Sequence, residues 1–431
     1  MNRQNLVGIF AFITVISQHF ALVNIGTYPL TLGFLSGCVL VALASRGISL
    51  QVLTAVWMPL LALASLAALV QPETTNAFDF GTTLALALVT TFFIAGSSRG
   101  FRDELWASPA LWGALRACLA VVVTLSAVQV ASGHFGIGFF FNPFRSFQYG
   151  HQYAPELQFT SYPRAEGFFL EPSYDAFVIG TLSVALLLQR KHLKSTLILA
   201  FVGMACTQSA TGLILLLCIA LIFAMKSKPG IAIAVVTASL LLVAILGRYL
   251  VGRLSSINAT GSSANYRLVE PIKVIRDVLT LHPLGMPLGS IYDVVAKYGL
   301  VMDGVQQTIS LDNGLYVVIY YFGWIGLGLL LLFAGWAVRG LFRPSQRGGP
   351  SVVTWVGPIW LLGAMLFSGG IVAPEFGLMT WILLSTYRSA RMGESQIEYT
   401  ENRPDGRNRD LQRRVGFTKN TRIRARTHDI C

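Results

Sequence analysis

The sequence predicts an all-α, polytopic integral membrane protein, and three observations carry that expectation. Hydrophobic residues fill 54% of the 431 positions and charged residues only 12%, with a mean hydropathy of +0.62, a balance that a water-soluble globule of this size does not carry. Apolar runs long enough, or nearly long enough, to cross a hydrocarbon core about 30 Å thick recur along the chain. Lys and Arg fall in alternate short connections, as the positive-inside rule requires.

The runs lie at 6–23, 28–44, 52–70, 78–96, 110–131, 172–188, 195–208, 210–225, 231–247, 313–336, 352–369 and 372–387, which gives about twelve transmembrane helices. The runs at 195–208 and 210–225 are parted only by the break Ser209-Ala210-Thr211-Gly212. Read as one helix, they would invert everything after them. Charge favours two helices. The inner connections carry Arg3, Arg46, Arg99, Arg102, Arg190, Lys191, Lys194, Lys226, Lys228, Arg339, Arg343 and Arg347. The short outer turns at 24–27, 71–77, 209 and 369–371 carry no Lys or Arg. Both termini are therefore expected in the cytoplasm, and two large extracytoplasmic loops, 132–171 and 248–312, face outward. Long loops escape topogenic counting, so their arginines are free for another task.

The first run has no small-residue cleavage site after it and reads as an uncleaved anchor. Cys38, Cys118, Cys206 and Cys218 fall in spans and Cys431 in the tail, so no disulfide framework is expected. Residues 1–387 form the transmembrane domain. Residues 388–431 hold eleven Lys/Arg against six Asp/Glu and are expected to be disordered or to lie on anionic headgroups. No aromatic platform accompanies that charge, so nucleic acid is not an expected partner.

The first outer loop gathers thirteen Phe or Tyr residues between Gly133 and Tyr174. An interfacial belt explains the Phe residues, Phe168 and Phe169 among them. A surface on which sugar rings stack better explains Tyr149, Tyr153, Tyr162 and Tyr174. Its end, Arg164 to Asp175 (RAEGFFLEPSYD), places five ionisable side chains at the mouth of an apolar segment. Pro172 suits a helix start, and Asp175 suits the first turn. Glu171 at the membrane boundary either pairs with Arg164, pinning the loop, or faces a polar cavity and substrate.

In the second loop, Pro271 starts a helix that ends before His282-Pro283, with Leu268, Ile272, Ile275 and Leu279 as its apolar stripe. Lys273, Arg276 and Asp277 fall on its wet side. Arg267 and Arg276 lie on opposite faces if the helix starts earlier, so they need not act together. Gly285, Pro287 and Gly289 make the turn after it.

Several of these motifs resemble the bacterial Wzy polymerases and O-antigen ligases, which act on lipid-linked glycans. They are Arg164-x-x-Gly167-Phe168, Glu171-Pro172-Ser173, the Thr207–Gly212 break, and Arg267 followed by His282-Pro283-Leu284-Gly285. Asp312-Asn313-Gly314-Leu315-Tyr316 and Phe322-Gly323-Trp324-Ile325-Gly326 complete the set. As topology, the resemblance covers most of the chain. One departure stands out, because ligases of this family usually show His where Asp312 stands, and the change favours a polymerase. A carboxylate can still deprotonate a sugar hydroxyl.

The resemblance implies transfer of a growing glycan from undecaprenyl diphosphate to the next lipid-linked repeat unit, outside the bacterial inner membrane. Arg164, Arg267 and Arg276, with Arg253 in reserve, are the candidate diphosphate ligands, since Arg offers bidentate, permanently charged donors. Asp312 or His282 would activate the acceptor, and Glu171 or Glu166 would position it. The outer loops show no DxD pair, so metal-independent transfer without a cofactor is expected. Expected partners are the lipid-linked oligosaccharide, membrane lipid, and a chain-length regulator and flippase of the same pathway. An O-antigen or protein-glycan ligase is the alternative. A lipid-linked-oligosaccharide transporter is the other, but the spans lack internal repeats and, apart from Arg116 and Glu375, mid-span charge.

Overall fold

The computed structural model describes residues 2–25, 28–136, 164–189, 192–209, 255–260, 262–291, 298–302, 306–307, 311–342, 352–366 and 370–401, with isolated residues between 212 and 252. Two compact units divide the chain, Met1–Ala390 and Arg391–Cys431.

The described residues are mainly helical. Four helices are long and apolar enough to cross a membrane: Leu50–Val70, Ala77–Arg99, Pro109–His134 and Gly314–Arg339. Arg3–Ile16, Leu32–Ala44, Pro172–Leu188 and Leu193–Thr207 are apolar but shorter. The expected runs at 210–225 and 231–247 fall largely outside the described residues, as does most of the loop 132–171.

The first expected span, 6–23, is corrected. Helix α1 (Arg3–Ile16) stops early, and a hairpin follows, β1 (Ala21–Ile25) against β2 (Tyr28–Thr31). Ser17 turns its hydroxyl back onto the Ile13 carbonyl at 2.6 Å, and the polar pair Gln18-His19 is buried where the helix would have continued. Thr31 then caps α2 (Leu32–Ala44), its hydroxyl accepting from the Phe34 N–H at 3.0 Å. After α3 (Leu50–Val70), α4 (Ala77–Gly96) and the short α5 (Asp103–Trp106), α6 (Pro109–His134) packs on α1.

Helix α7 (Pro172–Leu188) is the centre of the bundle, since every one of its 17 residues is buried. It lies against α6 and α8 (Leu193–Thr207). The expected break after Thr207 is present, with Gln208 in the left-handed region at φ 48°. Two helices of the second outer segment follow: α9 (Ser263–Leu268) and α10 (Pro271–Leu281). Helix α10 begins and ends where the sequence places it, but the apolar stripe is corrected. The buried positions are Pro271, Val274, Ile275 and Val278, while Ile272 is 52% exposed. The chain breaks between α9 and α10, so Leu268 belongs to a different helix, and Pro271 restarts the i, i+3, i+4, i+7 register.

Helix α11 (Gly314–Phe342) breaks at Gly323, φ 53°. Tyr320 O and Trp324 N would bond each other in a continuous helix. Instead Tyr320 O accepts from Met286 N at 2.8 Å and Trp324 N donates to Pro283 O at 3.1 Å. The turn after α10 thus takes up the backbone groups that the kink frees, as a low-dielectric setting requires. Helices α12 (Val352–Ala364) and α13 (Pro374–Glu401) complete the order. Trp360 of α12 lies over Gly180 of α7, where a Cβ would collide with the indole, and donates its Nε1–H to Thr181 at 3.0 Å.

Candidate active site

The N-terminus of α7 carries one side of the site. Glu171 is its N-cap, and the Tyr174 and Asp175 N–H groups donate to the Glu171 carbonyl at 3.1 and 3.2 Å. The Ser173 hydroxyl donates to the Glu171 carboxylate. The preceding turn is held from three sides. Gln129 of α6 accepts from Glu166 N at 3.2 Å and Gly167 N at 2.8 Å, and returns its amide to Gly167 O at 3.0 Å. Ala165 N reaches Cys206 O at 3.0 Å, and Arg164 Nε reaches Thr207 O at 3.3 Å. His19 Nδ1 accepts from Leu170 N at 3.2 Å. Gly167, at φ 61°, is pressed against the Asp175 carboxylate, which also accepts from the Ser126 hydroxyl at 2.7 Å.

Helix α9 brings the cation. Arg267 Nη2 stands 3.3 Å from Glu171 Oε2 and 3.3 Å from Ser173 Oγ, and the same guanidinium pairs with Asp312. The start of α11 and the residue before it are latched to α9 by more than charge. Asn313 Nδ2 donates to Arg267 O at 3.0 Å, and Tyr316 OH donates to Leu268 O at 2.9 Å. Three segments of the sequence meet at one guanidinium.

The side chains of Arg267, Asp312 and Glu171 are 14%, 21% and 33% exposed, so the cluster is partly buried and still reachable from outside. Burial disfavours the Arg267 charge, but Asp312 and Glu171 outweigh it and hold its pKa above the ordinary arginine range. One cation faces two carboxylates.

Of the expected site residues, Arg267, Asp312 and Glu171 converge. Ser173 and Asn313 join them, and sequence reasoning gave neither a role although both sit in its motifs. Glu171 pairs with Arg267 across 96 positions, where the sequence offered either a pairing with Arg164 or a place facing a polar cavity. Glu166 is buried beneath the turn, 3% exposed. Tyr174 is corrected from a sugar surface to a packing residue. It is 8% exposed, its OH donates to Gln18 at 2.7 Å, and its ring lies on His19 and Phe177. Phe168 and Phe169 are likewise buried and do not belong to a belt. His282 caps the far end of α10, where Gly285 N returns to its carbonyl at 2.7 Å. Arg276 is 73% exposed and pairs with its neighbour Asp277 at 3.5 Å. Arg253, Tyr149, Tyr153 and Tyr162 lie outside the described residues.

Residues 6–389 match the model of a family described as WcaD colanic acid polymerase. The chain is also 28% identical over 158 residues to a protein of Escherichia coli (strain K12) named "Putative colanic acid polymerase". That match spans 36% of this chain and 38% of the relative.

Proposed function

The chain belongs to the WcaD colanic acid polymerase family, and on that premise we propose that it joins lipid-linked oligosaccharide repeat units into an exopolysaccharide at the outer face of the bacterial inner membrane. The observation that carries this reading is the Arg267 guanidinium held among Glu171, Ser173 and Asp312. We take the chain to cross the membrane about twelve times with both ends inside, residues 1–387 forming the catalytic domain and 388–431 a basic cytoplasmic tail. The donor is an undecaprenyl-diphosphate-linked glycan, and the acceptor is a hydroxyl of the next unit.

In the reaction, the acceptor oxygen bonds to the anomeric carbon of the growing chain, the bond from that carbon to the diphosphate breaks, and the hydroxyl proton passes to Asp312. The carrier leaves as its diphosphate. A carboxylate held by a guanidinium is a weak base, which suggests how the step is timed. The diphosphate competes for Arg267, helped by Arg164, so donor binding draws the guanidinium off Asp312 and strengthens it as a base. Glu171, fixed by Ser173 and the α7 N-terminus, keeps Arg267 in place during the exchange. Fixed cations in a partly buried site then stabilise the charge that develops on the leaving group. No metal takes part in this scheme. A flippase would supply the units, and a chain-length regulator would act on the product.

Purified protein in nanodiscs, given a lipid-linked repeat unit with EDTA present, is expected to produce a ladder of longer lipid-linked glycans. Transfer only on addition of a lipid A core or protein acceptor would make it a ligase instead.

A further inference from the structure

Sharing no residue with the Arg267 cluster, a groove of about 580 Å³ lies among α2, α3, α4 and the turns beyond them. Its walls include Phe34, Val41, Trp57, Val89 and Phe92, and Arg102 stands at its polar end. Apolar walls of this kind are unfavourable to water and suit a hydrocarbon chain. The polar end is basic. Arg102 N and Nε bond Ala44 O and Ser45 O at 3.1 and 2.8 Å, so among the described residues its terminal Nη groups remain for an anion. The nearby acids are already engaged, Asp103 with Arg46 and Glu104 with Arg3. Arg99 adds an exposed positive charge.

The position of that end argues against the reacting diphosphate. At its N-terminal end, α4 meets the turn after α10, because Gly289 lies against the Asp79 backbone and Gln71, just before α4, donates to Gly285 O at 2.9 Å. Arg102 lies beyond the other end of α4. The helix has 20 residues, about 30 Å at 1.5 Å per residue, the thickness of the hydrocarbon core.

We propose that this groove binds one acyl chain of an anionic phospholipid from the leaflet opposite the Arg267 cluster, with the lipid phosphate on Arg102. The site is separate from the catalytic reading and stands without it.

The test uses quenching of Trp57 by brominated acyl chains in full-length protein reconstituted in phosphatidylcholine nanodiscs. A small, equal fraction of the lipid is brominated, either as phosphatidylglycerol or as phosphatidylcholine, and a Trp57→Phe protein supplies the background from the other tryptophans. Groove occupancy by phosphatidylglycerol is expected to exceed that by phosphatidylcholine about fivefold, the effect of ~1 kcal/mol for one arginine near an anionic headgroup. Arg102→Gln should abolish the preference, while Arg99→Gln, exposed and outside the groove, should keep it. Should Arg102→Gln fail to fold, Ala42→Phe fills the groove and leaves Arg102, and it is expected to remove the phosphatidylglycerol-specific quenching. Equal quenching by both lipids in the wild type would overturn the proposal. So would persistence of the preference in Ala42→Phe, or displacement of brominated phosphatidylglycerol by undecaprenyl phosphate more readily than by unbrominated phosphatidylglycerol.

Discussion

The two ends of α10 are built from opposite materials. Just before its start, Arg267 gathers carboxylates from segments 96 and 45 positions away. Beyond its end, the turn from His282 to Ser290 is stitched to the α11 kink by main-chain bonds and glycines. The helix between them has 11 residues, about 16 Å. Asp312 and His282, the two candidate bases, therefore occupy different environments. Asp312 lies against the Arg267 guanidinium, and His282 lies in a turn bonded through its main chain to the α11 kink. The difference teaches that a polar residue beside a motif acquires its role from what converges on it.

Substitutions separate the two ends, and the largest effect is expected at Arg267. Arg267→Ala leaves Glu171 and Asp312 facing each other without a cation and is expected to lower polymerisation about 10²–10³-fold or more, read as loss of the product ladder from folded protein. Arg267→Lys should recover little, because an ammonium cannot present the planar fork that meets Glu171, Ser173 and Asp312 at once. Next comes the kink. Gly323→Ala places a Cβ against the Pro283 carbonyl at a φ of 53°, and it is expected to cost about 1–3 kcal/mol, seen as a lower Tm in detergent. On the proposed chemistry, activity per folded molecule should fall less than stability, since the turn bonds to the kink and not to the Arg267 cluster.

The smallest effect is expected at Arg276. It is 73% exposed and pairs only with Asp277 among the ion pairs of the described residues. Arg276→Gln should change stability by less than about 0.5 kcal/mol and leave the ladder intact. Loss of the ladder would return Arg276 to the diphosphate site. The pH response sharpens the contrast. Because the folded Arg267 pKa lies above its unfolded value, its contribution is fully present below the unfolded value and is lost only as pH rises through the folded one. Both lie beyond any assay, so no alkaline loss between about pH 7 and 10 is expected to trace to Arg267.

Much of the fold was legible in the sequence because apolar length and capping residues are local signals. Pro271 and His282-Pro283 bracket α10 as read, and the break after Thr207 is where small and polar residues interrupt the apolar run. The hairpin after α1 was hidden, since residues 6–23 read as one apolar run and only the buried Gln18-His19 pair marks the change. The α10 stripe was misread because a break before Pro271 resets the helical register. At the site, the motifs named Glu171, Arg267 and Asp312 but not their partnership, which depends on contacts between distant segments. Arg164 was the nearer cation in sequence, yet the α9 latch through Asn313 and Tyr316 delivers Arg267 instead. Tyr174 looked like a sugar platform by composition. The bond from the Tyr174 hydroxyl to the Gln18 side-chain carbonyl and the contact with the His19 ring place it in the core.

The most direct measurement compares Asp312→Asn with His282→Asn in one polymerisation assay, both proteins in nanodiscs with a lipid-linked repeat unit and products resolved by size. Asp312→Asn is expected to lose elongation by about 10²–10⁴-fold while His282→Asn retains a ladder close to wild type. An intact ladder from folded Asp312→Asn together with its loss in His282→Asn would contradict the account and move the chemistry to the other end of α10.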